Sequence, residues 1–206
     1  MTIWLATGNI HKKKELAKIL SDAMPESAAV KVKIPADAGL VFDPEENGRT
    51  FLENALIKAA ELYRLLGKGQ PVIADDSGIC VDVLDGKPGI YSARYGGKKL
   101  ADTERNARLL AELGDNPRRN ARFVCAMVLY CGADRFFAAQ ETLEGELVAN
   151  AECARGAGGF GYDPVLYIPE LGRTVAELSD DEKNRFSHRG KAGRVIARIL
   201  SGLEIK

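Results

Sequence analysis

Two adjacent carboxylates close a short apolar run, Ile73-Ala74-Asp75-Asp76-Ser77-Gly78-Ile79. On an extended chain neighbouring side chains point to opposite faces, so one acid can meet a divalent metal while the other braces the backbone. The same residues are ordinary turn composition. A second acidic pair, Glu45 and Glu46, lies in the polar loop Asp37–Gly48. Either could hold a metal, although surface loops are also acidic for solubility alone. Lys12, Lys13 and Lys14 crowd the first turn of a helix, where the dipole favours negative charge. The mismatch points to an anionic ligand, and a solvated lysine face does not explain why all three share one turn. Lys58 shares a polar helix face with Asn54, four residues earlier, and from there can reach a bound phosphate.

Two further stretches could bind rather than react. Gly156–Pro164 (GAGGFGYDP) sets four glycines around Phe160, Tyr162 and Asp163, so the backbone can approach a planar ligand while an aromatic ring covers it. The competing reading is a glycine-rich turn with Phe160 folded into the core. Lys183, Arg185, His188, Arg189, Lys191 and Arg194 then crowd a dozen residues, and such a cluster wants anionic or carbonyl partners. Ser187-His188-Arg189-Gly190 reads as a local helix break that turns polar groups inward.

The elements that must position these residues follow from periodicity. Thr2–Ala6 is a buried strand, and Thr7-Gly8-Asn9 turns it into a helix with the stripe Leu16, Ile19, Leu20. This arrangement aims backbone N–H groups at whatever sits above the strand. Val30–Ile34 alternates as a strand. Thr50-Phe51-Leu52-Glu53 is a capping box, with Glu53 expected to reach back to the Thr50 N–H, and the helix behind it is apolar at Ala55, Leu56, Ala59, Leu62, Tyr63 and Leu66. Pro71–Ala74 is the strand that delivers Asp75 and Asp76, and Cys80–Leu84 a further short strand. Asp102–Leu113 is a surface helix. Arg122–Cys131 and Arg135–Leu147 form a hairpin, the first strand apolar enough to be central. Ser179-Asp180-Asp181-Glu182 is a second capping box.

At 206 residues and 46% hydrophobic, the chain has room for one substantial core, read as a single domain over residues 1–206. Its 29 basic and 29 acidic residues cancel, which argues against nucleic acid or an anionic membrane as partner. No apolar stretch approaches the roughly 20 residues of a membrane span, and the expected location is the cytoplasm. Cys80, Cys125, Cys131 and Cys153 form no CxxC pair, and His11 and His188 are too few for a histidine-rich site. A required metal is therefore expected to be a hard cation on oxygen ligands, which points to magnesium.

Together these motifs resemble the inosine triphosphate pyrophosphatase (Ham1-like) family over nearly the whole chain. The resemblance rests on Thr7-Gly8-Asn9-x-x-Lys12, Thr50-Phe51-x-Glu53-Asn54-Ala55-x-x-Lys58-Ala59, Ala74-Asp75-Asp76-Ser77-Gly78, Pro88-Gly89-x-Tyr91-Ser92-Ala93-Arg94, Gly158-Gly159-Phe160-Gly161-Tyr162-Asp163-Pro164 and Ser187-His188-Arg189-Gly190. It implies an α/β fold with an elongated mixed sheet flanked by helices, two lobes around a central substrate cleft, and a homodimer. It implies hydrolysis of ITP, dITP and XTP to the monophosphate and pyrophosphate with Mg2+. By this resemblance Asp76 is proton acceptor and metal ligand, with Glu45 or Glu46 as second ligand. Thr7, Gly8, Asn9, Ile10, His11 and Lys12 hold the phosphates with Lys58, and Ser77 touches substrate. Phe160, Gly161, Tyr162, Asp163, Lys183, His188 and Arg189 read the base. A 6-oxo group accepts hydrogen bonds from Arg189 or His188, whereas a 6-amino group leaves those donors unpaired at roughly 1–3 kcal/mol each. A module that binds such nucleotides without cleaving them is the alternative.

Overall fold

The computed structural model describes residues 1–24, 30–67, 69–97 and 99–203. Among them seven strands form one mixed sheet in the order β2-β1-β3-β4-β5-β6-β7. The strands are β1 (Thr2–Leu5), β2 (Lys31–Lys33), β3 (Val72–Val81), β4 (Asn120–Tyr130), β5 (Phe136–Leu147), β6 (Leu166–Ile168) and β7 (Arg173–Thr174). β1 pairs in parallel with β2 and β3, whereas β5–β6 and β6–β7 are antiparallel. The helices are α1 (Ile10–Ala23), α2 (Phe51–Leu65), α3 (Asp102–Leu113), α4 (Asp180–Phe186) and α5 (His188–Ser201). The mixed, helix-flanked sheet that the resemblance implies is present, and β4, read from sequence as central, lies at its centre.

The chain divides into two compact units. The first comprises Met1–Asp76, Cys125–Glu141 and His188–Lys206, and the second Ser77–Val124 and Thr142–Ser187. In the first unit the period-two alternation of the strands sorts side chains onto two cores. Ile3, Leu5, Ile73, Cys125, Met127 and Leu129 face one cluster, where α1 supplies Leu16 and Leu20 and α5 supplies Ala192, Ile196 and Leu200. Trp4, Ala6, Val72, Ala74 and Val128 face the other, where α2 supplies Ala55, Ala59 and Leu62. Each fully buried leucine or isoleucine contributes about 1.5–3 kcal/mol relative to exposure. Gly193 lets α5 approach α1, since a Cβ there would come within 2.8 Å of Ile19 Cγ2. The second unit has its own core, built from Ile79, Val81, Leu109, Leu110, Phe123, Leu143, Tyr162 and Leu166.

Three local readings change. Residues 75–78 are not a turn: β3 runs unbroken from Val72 to Val81, and the expected strand over Cys80–Leu84 is the end of β3 followed by a 3-10 turn at Asp82–Leu84. Burial on both faces overrides the turn propensity of Asp-Ser-Gly. At α2 the Thr50 hydroxyl accepts the Glu53 N–H as expected, but Glu53 accepts the Arg49 N–H rather than that of Thr50. The capping box at Ser179 closes in both directions with Glu182. The break at Ser187 is also present, separating α4 from α5.

Candidate active site

Asp75 and Asp76 point to opposite faces of β3, as strand geometry requires, and find different partners. Asp75, its side chain 2% exposed, accepts from Lys12 Nζ at 2.9 Å through Oδ2. The same oxygen accepts from Arg189 Nε at 3.3 Å and Nη2 at 3.2 Å. Arg189 Nη1 donates to Glu15 Oε2 at 2.7 Å. Burial works to raise the Asp75 carboxyl, but Lys12, Arg189 and Lys58 outweigh it and hold the group well below the usual carboxylate range. Burial likewise opposes the Arg189 charge, and Asp75 and Glu15 overcome it. The thiol of Cys125 is pushed up to about 12, first by burial and then by the Asp75 charge, so it packs as an inert core group.

Asp76 faces α2. Its Oδ2 accepts from Asn54 Nδ2 at 3.1 Å and its Oδ1 from Lys58 Nζ at 3.2 Å. Lys58 Nζ also donates to Glu46 Oε2 at 3.1 Å. Asn54 and Lys58 therefore share a face, as their spacing predicts, but that face is buried against the sheet rather than solvated. Desolvation works to lower the Lys58 pKa, and Asp76, Asp75 and Glu46 reverse it, so the ammonium is held charged. The loop acids separate here: Glu46 is brought to Asp76 through Lys58, whereas Glu45 is exposed. The donor set fits magnesium. Two carboxylates, one of them 31% exposed at the side chain, can serve a hard cation that takes its other ligands from water and phosphate oxygens. Among the described residues no group of three or more His, Cys, Asp or Glu side chains forms a metal cluster.

The segment Thr7–Lys12 is built as a helix cap. Asn9 Oδ1 accepts the N–H groups of His11 at 2.8 Å and Lys12 at 3.3 Å, and Thr7 Oγ1 accepts the Asn9 N–H at 3.1 Å. Two of the first-turn N–H groups are thus already engaged by Asn9, which corrects the expectation that the helix start offers them outward. Gly8, Ile10 and His11 are exposed. The three lysines also part company: Lys12 binds Asp75, Lys13 binds Asp37 at 2.6 Å and Lys14 is exposed. His188 opens α5 and is buried in the first unit beside Arg189 in sequence.

In the second unit the glycine loop is rigidly tied. Asp163 Oδ2 accepts the Phe160 N–H at 2.8 Å and Lys183 Nζ at 2.8 Å, with both side chains of the pair nearly sealed from solvent. Lys183 Nζ lies 4.7 Å from the Phe160 ring centroid, a cation–π contact that fixes the ring. A Cβ on Gly159 would overlap the Asp163 carboxylate, and its φ of +71° favours glycine in its own right. Tyr162 turns into the second core. It is 5% exposed, its hydroxyl donates to the Ser92 carbonyl at 3.0 Å, and burial pushes its phenol above the ordinary value. The aromatic folded into the core is Tyr162, while Phe160 is half-buried. Ser77, on β3, is half-buried as well.

Sequence reasoning assigned no role to Glu15, which fixes Arg189, or to Asp102 and Asn106, which both bond Gly161. Nothing in a lysine-rich helix marks Glu15, because Arg189 lies 174 residues away. Asn54 carried one usable signal, a carboxamide four residues before a lysine on the same helix face.

Comparison with known proteins supplies an independent reading. The model of the Ham1 family matches residues 3–199. A curated protein of Treponema denticola named dITP/XTP pyrophosphatase is 45% identical over 205 residues, covering 98% of this chain and all of that one. One of Thermus thermophilus with the same name is 45% identical, covering 95% of this chain and 90% of its own. Among solved structures, a HAM1 protein from Coxiella burnetii superposes with a TM-score of 0.86 at 37% identity, over 98% of this chain and 100% of that one. The Ham1 protein of Staphylococcus aureus superposes at 0.83, also with 37% identity, over 98% and 99% of the two chains.

Proposed function

The chain belongs to the Ham1 family, and on that footing we propose that it hydrolyses deaminated purine nucleoside triphosphates, dITP, ITP and XTP, to the monophosphate and pyrophosphate. The proposal includes Mg2+ as cofactor, a homodimeric enzyme and a cytoplasmic location. Among the described residues no helix is long and apolar enough to cross a membrane.

The observation that carries the reading is the meeting of Asp76 and Glu46 on Lys58 Nζ. It supplies, in one unit, a fixed carboxylate for proton transfer and a donor pair for a hard cation. Asn54 and Lys58 each donate to one oxygen of Asp76, so the carboxylate is oriented before substrate arrives. From that position Asp76 accepts the proton of the attacking water. Magnesium held by Glu46 and Asp76 would neutralise charge on the phosphate oxygens. Lys12 and Lys58 add positive charge for the triphosphate, and no covalent nucleophile is required, since phosphoryl transfer depends mainly on positioning and electrostatics. Phe160, braced by Lys183, offers a ring face to the base. Arg189 gives three N–H bonds to Asp75 and Glu15, so whatever it offers a 6-oxo group is offered from a fixed position.

The test is a nucleoside triphosphate screen with and without Mg2+ that separates pyrophosphate from orthophosphate. Pyrophosphate from dITP, ITP and XTP, with little from ATP, is the expected result, and Asp76→Asn should lower kcat by about a hundred-fold or more. Orthophosphate as product overturns the reaction. Turnover near wild type in Asp76→Asn overturns the role of that carboxylate, and tight nucleotide binding without hydrolysis makes the protein a sensor.

A further inference from the structure

The loop that carries Phe160 is held from outside by α3, through two hydrogen bonds of opposite sense to one residue. The Gly161 N–H donates to Asp102 Oδ2 at 2.8 Å, and Asn106 Nδ2 donates to the Gly161 carbonyl at 3.0 Å. Asp102 and Asn106 are four apart and so lie on one face of the helix. Asp102 is itself anchored, because its other oxygen accepts from Arg105 Nη1 and Arg105 Nη2 donates to the Leu100 carbonyl at 2.6 Å.

Asn106 is an odd choice if stability were its only purpose. It is 7% exposed, and its Oδ1 is buried with no hydrogen-bond partner among the described residues. A leucine would fill similar space without stranding an acceptor, and a stranded buried acceptor is destabilising. The one thing the carboxamide does that an apolar side chain cannot is to hold the Gly161 carbonyl, 55 residues away. Gly161 has φ +64°, a left-handed conformation natural to glycine, and glycine is also the most freely rotating residue when unrestrained. Its neighbours are tied separately, Phe160 by Asp163 and Tyr162 by Ser92. Without α3, the link between those two anchors would be the loosest point of the loop.

We propose that Asp102 and Asn106 are positioning residues that set the affinity for the purine base by fixing Gly161 and thereby the presentation of the Phe160 ring. The inference rests on the pyrophosphatase reading above, and it adds α3 to the elements that set substrate affinity. Neither residue touches the reacting atoms in this assignment, so their loss moves KM rather than kcat.

The experiment compares wild type with Asn106→Leu, Asp102→Ala and Asp102→Asn, which keeps an acceptor oxygen. Two readouts are taken: hydrogen exchange of the segment 156–166, and steady-state release of pyrophosphate from dITP. Asn106→Leu and Asp102→Ala should speed exchange of the loop and raise KM for dITP about ten-fold, with kcat changed less than about three-fold. Asp102→Asn should recover most of the loss. Unchanged loop exchange, or an equal fall of kcat with unchanged KM, overturns the proposal. Should Asn106→Leu fail to fold, Asp102→Ala decides, since the Asp102 side chain is 49% exposed and tolerates truncation. If wild type releases no pyrophosphate from dITP, the functional reading fails, while the exchange arm still shows whether α3 holds the loop.

Discussion

Replacing Asp75 by asparagine tests the reading of the paired acids most sharply, because size and shape are kept and only charge is lost. In the wild type one oxygen of Asp75 receives Lys12 and two N–H groups of Arg189, and both the Asp75 and Arg189 side chains are nearly sealed from water, at 2% and 3% exposure. Removing one member of such a pair takes from a buried guanidinium a carboxylate that balances it beside Glu15, which costs about 3–5 kcal/mol. The pH dependence follows from linkage. The folded-state pKa of Asp75 is depressed, so its stabilisation is complete above the unfolded value of about 3.9 and is lost as pH falls below that, toward the lower folded pKa. The stability gap between wild type and Asp75→Asn is therefore greatest at neutral pH and narrower by roughly 1 kcal/mol at pH 3. Urea unfolding at pH 7 and pH 3, monitored by circular dichroism, measures both quantities. A gap under about 1 kcal/mol at pH 7 would refute the argument that Asp75 is the charge partner of Arg189. So would a gap that stays constant down to pH 3.

Two other perturbations address the loop acids and the glycine loop. Glu46→Gln should raise the Mg2+ concentration for half-maximal activity about ten-fold or more, whereas Glu45→Gln should leave it unchanged, because only Glu46 is brought to Asp76 through Lys58; magnesium titrations of both variants decide. Gly159→Ala should destabilise the protein by about 3 kcal/mol or more. Its left-handed φ of +71° strains alanine, and the new Cβ displaces the Asp163 carboxylate from Lys183. Thermal unfolding indistinguishable from wild type would show that the buried Asp163–Lys183 pair does not hold the loop.

What could be read from sequence was whatever periodicity or local chemistry encodes. The helix caps at Thr50 and Ser179, the stripe Leu16–Ile19–Leu20 and the apolar run of β4 each carry their signal within a few residues. The continuity of β3 through Asp75–Gly78 was not legible, because turn propensity is local and the burial that overrides it comes from helices distant in sequence. The same reason hid the partners of the lysines. Three adjacent residues of one type read as one cluster, yet α1 presents them in different directions, to Asp75, to Asp37 and to solvent. Tyr162 and Phe160 could not be separated by composition, since which ring turns inward depends on the Ser92 carbonyl waiting 70 residues earlier.

The unbroken strand also explains why two adjacent acids can serve different ends. Had residues 75–78 formed a turn, the two carboxylates would have shared one solvated environment and repelled each other. In a strand the sheet lies between their side chains. Asp75 falls in register with Ile73 on the side packed by α1 and α5, where Lys12, Glu15 and Arg189 close an ion network. Asp76 falls in register with Val72 and Ala74 on the side packed by α2, where Asn54 and Lys58 orient it and Glu46 approaches. A one-residue slip of β3 would exchange the two faces, handing the sealed ion network to Asp76 and leaving Asp75 beside the loop acid. Strand register, fixed by β1 pairing Trp4 with Val72 and Leu5 with Ile73, is thus what decides which of two identical side chains joins the sealed ion network and which faces Lys58 and Glu46.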